Sequence, residues 1–461
     1  MAGVFSLLGT MGSALQAQQA ALNVTGQNVA NVNTPGYVQR GVVLQDQVAD
    51  GGVTVQSVQR SFDQFTYAQV LTQQGLKSAA DSRGQAVTEA QSVVAPAQGN
   101  SVSDSMTSFF ASLQALSANP GDAAARGAVL TQADQVAQSF SSTASGLQQI
   151  QSGLLTQASG SVGQLNSDLA KVAQLNSQIE QANATGDNAP DLRDQRDTLV
   201  NDVSTLVGGQ VVQDPSGSVT LYAAGATLVN GDHAATVDLS QDASGAMKFT
   251  LAQPGGAATD ITSGVTAGSL GGMREARDVD IASTASQLDA LAYNFAGAVN
   301  SVHQAGYGLD GVTGRPLFTP PSTVAGAAAA MSVDPQVEGN PSAIAAGASA
   351  QDVPGGNGAL LQLEQVADQP LAGGGTPAAQ FGAIAAQIGS AAATATSDST
   401  TRGDTLTQAQ NMNSSVSGVS LNEEMVKLTQ FQQAFEASTQ VLQMADSLLS
   451  SFLSTVGTVS G

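Results

Sequence analysis

The sequence predicts a mainly α-helical protein with inserted β-structure. We expect terminal helices paired as a coiled coil, a bundle of long helices, and an outer antiparallel β domain. Three observations predict this fold class. Apolar residues recur at seven-residue spacing at both ends of the chain. Long helical patterns fill residues 61–206, and alternating apolar runs separated by glycine turns follow them.

The first helix is predicted from a seven-residue repeat and from a lack of charge. No Asp, Glu, Lys or Arg precedes Arg40, whereas a solvated helix normally carries charges on its outer face. We therefore expect most of its circumference to be covered in the working state. Proline and glycine at 35–36 end the helix. Its predicted interface residues are Leu8, Met11, Leu15, Leu22 and Val29.

A matching repeat closes the chain. Two such helices at opposite ends suggest that the ends pair, with everything between them inserted as one long excursion. The predicted interface residues of the last helix are Leu421, Leu428, Phe431, Phe435, Leu442, Leu449 and Phe452.

The chain between the ends divides into segments that differ in apolar periodicity and composition. Val42–Val58 indicates a β-hairpin, and 208–267 has the short alternating runs of an antiparallel β-region that we expect to be dispensable for folding of the bundle. Residues 306–380 are rich in glycine, proline and alanine, which indicates an irregular β-excursion or a flexible surface insert. We predict three domains: 1–40 with 418–461; 41–207 with 268–305 and 381–417; and 208–267 with 306–380.

Composition excludes several partners. The 461 residues include 36 acidic and 14 basic side chains, giving a net charge of -22. Such a charge argues against nucleic acid or an anionic membrane surface as a partner. Cysteine is absent, so no disulfide framework or thiolate chemistry is expected. The N-terminus resembles neither a cleaved signal nor a membrane span, so we expect no membrane insertion.

The densest charge cluster, around Asp194 and Asp197, could suggest paired catalytic carboxylates. Arg193 and Arg196 lie within three residues, and we expect them to keep the carboxylates ionised rather than raise a pKa. The two histidines, His233 and His303, are seventy residues apart and do not have zinc-ligand spacing. We therefore predict a structural network, no enzyme, and no catalytic, cofactor or metal site.

Two motifs, one at each end of the chain, resemble those of the flagellar axial proteins. Taken alone, the turn after the first helix is an ordinary helix stop, but the whole string resembles the axial signature, although Gln39 precedes Arg40 where the family often has the reverse order. The last helix resembles the C-terminal axial signature. The N-terminal residues that carry the resemblance are Ala30, Asn31, Asn33, Thr34, Pro35, Gly36 and Tyr37.

A motif in the middle of the chain narrows the resemblance from the axial proteins as a whole to one group of them. The string Asp194, Gln195, Arg196 and Asp197 is similar to a motif of the hook-associated proteins at the hook–filament junction, which rod and hook subunits usually lack. The glycine-rich run 268–272 and the helix after it also resemble that family.

The resemblance implies a structural subunit that joins hook to filament. It implies cytoplasmic synthesis, type III export without a cleaved signal, and an extracellular place in the flagellum. The implied partners are copies of the chain in a ring or helical layer, the hook protein on one side, a second junction protein or the filament on the other, and an export chaperone on the C-terminal helix. Two alternatives stay open: a hook or rod axial subunit, and a secreted surface adhesin.

Overall fold

The computed structural model describes residues 2–47, 52–96, 99 and 101–459, most of which are helical. The α-helices are α1 (Ala2–Ala30), α2 (Gln64–Val94), α3 (Val102–Ala118), α4 (Ala123–Ala184), α5 (Pro190–Val207), α6 (Gly268–Glu275), α7 (Ala282–Ala305), α8 (Gly358–Gln365), α9 (Pro377–Ser417) and α10 (Leu421–Val459). A π-helical segment, Ala276–Ile281, joins α6 to α7.

The strands form small antiparallel sheets, as the alternating runs predict. Their order is β1-β2, β3-β4-β5-β6 and β7-β8-β9. The glycine turn predicted between the first two strands falls at 50–52, of which 50 and 51 lie outside the described residues. The strands are β1 (Arg40–Gln47), β2 (Gly52–Arg60), β3 (Gln210–Gln213), β4 (Val219–Ala223), β5 (Ala226–Asn230), β6 (His233–Ala234), β7 (Thr236–Gln241), β8 (Met247–Ala252) and β9 (Ala258–Asp260). Mainly α with inserted β is therefore confirmed.

Side-chain caps set the starts of the long helices. The Asp63 carboxylate accepts the Thr66 N–H at 2.7 Å ahead of α2. Asp122 accepts the N–H groups of Ala124 and Ala125 ahead of α4. These caps satisfy backbone donors that have no partner inside the helix. The 62 residues of α4 give it a length of roughly 93 Å, so one helix can support several other elements.

Two asparagines of α4 dock the outer sheets. The Asn166 amide accepts the Val237 N–H and donates to the Val237 carbonyl, both at 2.8 Å. Asn176 pairs in the same way with Val219 and also donates to the Gly231 carbonyl. Each side chain therefore satisfies backbone groups of a strand as a neighbouring strand residue would. The apolar faces of these sheets belong to the same continuous core as the helices.

That the β-region is dispensable for folding of the bundle stays a prediction, but this packing gives its removal a cost. Phe249 is fully buried, and Val229 and Leu221 are buried beside it in the shared core. Deleting the sheets would expose the matching apolar face of α4, which costs roughly 25 cal/mol for each Å² of apolar surface returned to water.

Residues 306–380 are irregular but are not a free surface insert. The segment contains two isolated β-bridges, Tyr307 with Gly347 and Phe318 with Val333. Asn300 of α7 holds the segment: its amide donates to the Phe318 carbonyl and accepts the N–H groups of Leu317 and Phe318. Phe318 is fully buried with its ring 5.8 Å from that of Phe295, so the segment completes the helical core.

Glycines allow α6 to approach α2 closely. A Cβ at Gly272 would lie 2.1 Å from the Ala79 carbonyl oxygen, so any larger residue would push the two helices apart. Gly268 has a φ of +68°, a conformation that other residues rarely adopt. The glycine run therefore sets backbone packing at this point.

The two ends of the chain meet. α1 and α10 run antiparallel, with Gln18 donating to Ser438 at 3.1 Å and Asn28 donating to Glu424 at 2.9 Å. The buried stripe of α1, however, is not the predicted leucine line. The predicted residues of α1 are all half-buried: Leu8, Met11, Leu15, Leu22 and Val29. The fully buried ones are Ala17, Ala21, Val24, Thr25 and Asn28.

We predict that Asn176→Ala lowers the free energy of unfolding by about 1–3 kcal/mol, because it leaves buried backbone groups of Val219 and Gly231 without partners. Chemical denaturation monitored by circular dichroism measures this change. Gln181→Ala is the matched control, since the Gln181 side chain is exposed and hydrogen-bonds to Ser177 of its own helix. Equal stability of the two variants would contradict the docking role of Asn176.

Candidate assembly interface

Three distant parts of the chain converge where α1 ends. The turn after α1 leads into β1, the N-terminal end of α5 lies beside it, and the start of α10 completes the group. All three motifs singled out from the sequence contribute to this one place. We call the resulting set of polar contacts the junction network; its members are Asn28, Tyr37, Gln39, Arg40, Arg60, Asp191, Asp194, Arg196, Asp197, Glu424 and Lys427.

The amide of Asn28 is the centre of the junction network. Its oxygen accepts the Tyr37 hydroxyl at 2.9 Å and the Arg40 N–H at 3.1 Å. Its nitrogen donates to the Arg40 carbonyl and to Glu424, both at 2.9 Å. Asn28 is only 1% exposed, yet each of its four hydrogen-bonding positions has a partner. One side chain therefore joins α1, β1 and α10.

Glu424 is the matching group on α10. It is fully buried and accepts hydrogen bonds from Asn28, from Gln39 at 2.8 Å and from Lys427 at 2.8 Å. Burial alone would raise its pKa, but the donors Lys427, Asn28 and Gln39 outweigh burial and hold the pKa below its ordinary value. The backbone adds a further link between the two regions, from the Gln39 N–H to the Ser417 carbonyl at 2.9 Å.

A ladder of ion pairs connects the β1–β2 hairpin to α5. Arg40 contacts Asp191 at 2.7 Å and Asp194 at 2.6 Å. Arg60 contacts Asp194 at 2.7 Å and Asp197 at 2.6 Å. Asp194 is thus shared between the two arginines, and the side chains of both arginines are at most 7% exposed. Buried ion pairs of this kind fix relative position, since the loss of one partner leaves an uncompensated charge.

The inner end of the ladder is Arg196. Its guanidinium donates to the Gly217 carbonyl at 2.6 Å and lies 3.4 Å from Asp197, and the residue is 2% exposed. The Tyr67 hydroxyl of α2 donates to the Asp197 carbonyl at 2.8 Å. The ladder therefore continues from the hairpin to α2 and to the first outer sheet.

Of the two aspartates, Asp197 pairs with a neighbouring arginine as the sequence predicted, since it lies 3.4 Å from Arg196, but Asp194 does not. Asp194 contacts Arg40 and Arg60, which lie more than 130 positions away, and Arg193 pairs with neither carboxylate. Burial raises the pKa of Asp194, although Arg60 and Arg40 act in the opposite direction. The expectation that arginines would prevent a rise in pKa is therefore wrong for Asp194.

The other residues of the axial motif shape the turn. Asn31 donates to the Gln27 carbonyl and accepts the Thr34 hydroxyl. Gly36 has a φ of +79° and lies against Thr198 of α5, where a Cβ would come within 2.6 Å of the hydroxyl oxygen. Ala30, Asn33 and Pro35 are exposed, and so is Gln195 of the central motif.

Sequence reasoning missed seven members of the junction network as site residues: Asn28, Gln39, Arg40, Arg60, Asp191, Glu424 and Lys427. Arg40 offered one signal, because it is the first charge after an uncharged helix. Glu424 offered no such signal, because a carboxylate in the first turn of a helix is already favoured by the helix dipole and its partners lie almost 400 positions away.

Models of known protein families match the two ends and the middle of the chain. The family model for the flagellar hook-associated protein FlgK helical domain matches residues 87–318. Models for the flagellar basal body rod FlgEFG protein C-terminal region and the flagella basal body rod protein match 410–455 and 8–37. The two rod-protein matches cover most of α10 and α1, and the first match contains the central aspartate motif.

Individual relatives point to the same family. The flagellar hook-associated protein 1 of Salmonella typhimurium is 33% identical over 68% of this chain, and the match spans 59% of that relative's length. The protein of the same description from Escherichia coli K12 is 26% identical over 97% of this chain and 99% of its own. The solved structure of the flagellar hook junction protein FlgK from Burkholderia pseudomallei has a TM-score of 0.50 and 27% identity, covering 55% of this chain and 46% of that one.

The rod-protein matches at both ends, on helices joined by the junction network, define a flagellar axial protein. Within that class, the chain belongs to the family of the flagellar hook-associated protein FlgK. The resemblance found in the sequence motifs is thereby confirmed. No helix in the described part of the chain is both long and apolar enough to cross a membrane.

We predict that Asn28→Ala uncouples the chain ends. Glu424 and the backbone of Arg40 would lose buried partners, which costs about 1–3 kcal/mol. Native-state amide exchange on α1 and α10 should show that loss of protection. Asn31→Ala serves as control, because the side-chain hydrogen bonds of Asn31 stay within residues 27–34. Similar loss of protection in both variants would show that Asn28 has no special role.

We also predict that acid weakens the same link. The pKa of Glu424 is lowered from 4.5 in the folded chain, so its contribution to stability is complete above that value and is lost as pH falls through the lowered pKa. Glu424→Gln should remove this dependence, and Glu423→Gln should retain it. Amide exchange between pH 7 and pH 3 measures the difference. Parallel losses of α10 protection in wild type and Glu424→Gln would contradict the assignment.

Proposed function

We propose that this chain is a structural subunit of the bacterial flagellum that joins hook to filament. One observation carries the proposal: the axial motif, the central aspartate motif and the C-terminal helix meet in the junction network. Family membership supports it, because the relatives are described as hook-associated proteins. The network would fix the terminal helix pair relative to the bundle.

The proposed assembly surface is the outer face of the terminal helices. Met444, Leu448 and Phe452 lie at i, i+4 and i+8 on α10 and are 58%, 63% and 47% exposed. Apolar residues in such a row form one stripe that a partner helix can cover. We propose that α1 and α10 pack as a coiled coil in an inner layer, where neighbouring copies cover this stripe and the half-buried leucines.

The proposal extends to the partners and the route. Copies of the chain would form a ring or helical layer, with the hook protein below and a second junction protein or the filament above. An export chaperone would hold the apolar face of α10 before type III export without a cleaved signal. The working location would be extracellular, at the hook–filament junction.

We retain the three-part domain division as part of the proposal. The terminal helices, residues 1–40 and 418–461, would form the inner layer. The bundle of 41–207, 268–305 and 381–417 would surround it. Residues 208–267 and 306–380 would lie outermost, although the buried contacts of Phe318 and Phe249 join both segments firmly to the bundle.

We assign the chain no catalytic role. The carboxylates of Asp194 and Asp197 are occupied by guanidinium groups, which leaves no free acid–base pair in the junction network. His303 is buried between the Arg315 carbonyl and the Ala345 N–H. Within the described residues no group of three or more His, Asp or Glu side chains could hold a metal ion.

The test is binding to isolated hooks from which the filament has been removed. Leu448→Glu places a charge on the exposed stripe and should reduce binding at least tenfold, since a charge would have to be buried at the interface. The free energy of unfolding should stay within about 0.5 kcal/mol, because the site is exposed in the single chain. Electron microscopy and co-sedimentation with hooks measure binding.

Gln443→Glu is the control, because it adds the same charge at an exposed position of α10. It should bind hooks almost as wild type does. Normal binding by Leu448→Glu would contradict the proposed surface, and a wild-type chain that ignores hooks would contradict the proposed function.

A further inference from the structure

Arg193 lines a pocket of about 260 Å³ between β2, the start of α5 and the end of β3. The other polar residues that line the pocket are Gln59, Arg60, Asn188 and Gln213. The ring of Phe62 supplies an apolar wall. The pocket lies beside the ion-pair ladder, but the ladder does not fill it.

Arg193 is the excess cation of this region. Arg40, Arg60 and Arg196 are matched by three aspartates, as described above. Across the described residues, no carboxylate oxygen lies within 4 Å of Arg193, and Arg126 is the one other cation without such a partner. Arg126 is enclosed by backbone carbonyls and is 1% exposed, whereas Arg193 is partly accessible.

The Arg193 guanidinium is held in place. Its Nε donates to the Asn188 carbonyl at 2.8 Å, and its Nη2 donates to the Asn183 side chain at 3.3 Å. Gly217 packs against it so closely that a Cβ there would lie 2.4 Å from Nη2. Nη1 makes no hydrogen bond to the described part of the chain. A guanidinium fixed on one edge and open on the other is ready to bind a planar anion.

The local electrostatics favour an incoming anion. Burial, followed by the neighbouring cations Arg196 and Arg60, lowers the pKa of Arg193, and Asp197 only partly offsets them. The nearby carboxylate of Asp187 accepts a backbone N–H, and that of Asp214 accepts the Ser216 hydroxyl and the Ser218 N–H. A carboxylate bound at Nη1 would relieve repulsion among the three arginines.

We propose that the Arg193 pocket binds a carboxylate side chain from a second copy of this chain, an inference that rests on the proposed assembly into a homo-oligomeric layer. Amide donors beside a guanidinium suit a carboxylate, and the Phe62 wall suits the methylene groups of Asp or Glu. Copies with a net charge of -22 repel one another. A close contact between them therefore needs a free cation, and Arg193 provides one that is not already paired.

Self-association of the full-length chain tests the pocket. Sedimentation velocity at low ionic strength should show that Arg193→Gln needs at least a tenfold higher protein concentration to associate. Arg193→Lys should fall between this variant and wild type, because it keeps the charge but loses the planar geometry. Arg402→Gln removes the same charge from an exposed helix pair with Asp398 and should behave as wild type.

A second measurement uses the wild-type chain and therefore does not require that any variant folds. Wild-type association in sodium acetate should require a higher protein concentration than in sodium chloride at equal ionic strength, since acetate competes for the pocket. Equal association in both salts, or wild-type association by a folded Arg193→Gln, would overturn the proposal. A third outcome is that acetate weakens association of wild type but not of Arg193→Gln, while the two associate equally in sodium chloride. This would indicate a site for small anions only and would also overturn the proposal. A wild-type chain that never associates would instead overturn the proposed function.

Discussion

The four hydrogen bonds of the Asn28 amide are the constraint on which the terminal region depends. A buried amide is tolerated only when its donors and acceptor positions are satisfied, and here the partners come from β1, the turn and α10. A slip of α10 by one residue would rotate Glu424 by about 100° and shift it by about 1.5 Å. The amide would then lose its partner, so Asn28 fixes the register of the chain ends.

The ion-pair ladder carries that fixed position outward. Asp194 joins the two hairpin arginines, and Asp197 joins the second of them to Arg196. Such a buried network adds little net stability, because removing charges from water opposes the attraction between them. Its value is positional: the hairpin can dock on α5 in one arrangement only. Apolar contacts alone would permit several arrangements of similar free energy.

Sequence periodicity predicted the helices, most strands and the meeting of the two ends, because those signals are local. It did not predict which face of α1 packs on α10. Ala17 and Ala21 lie on the buried stripe, because small residues let the helices approach closely. The seven-residue repeat instead predicted that the leucines would be buried. A heptad pattern cannot separate packing within one chain from packing between chains. The sequence also did not predict the partners of Asp194 and Glu424, because those partners lie far away along the chain.

The half-buried leucines therefore have a physical explanation that the single chain alone does not supply. Leu15 and Leu22 flank the buried stripe, and Leu448 lies exposed on α10. If the helix pair were only an intramolecular support, replacing these side chains by polar ones would cost little and would improve solubility. Their spacing matches the repeat that a third helix would contact. The polar network fixes the register of the helix pair, and it thereby holds the exposed apolar surface in one orientation, as the proposed packing of copies requires.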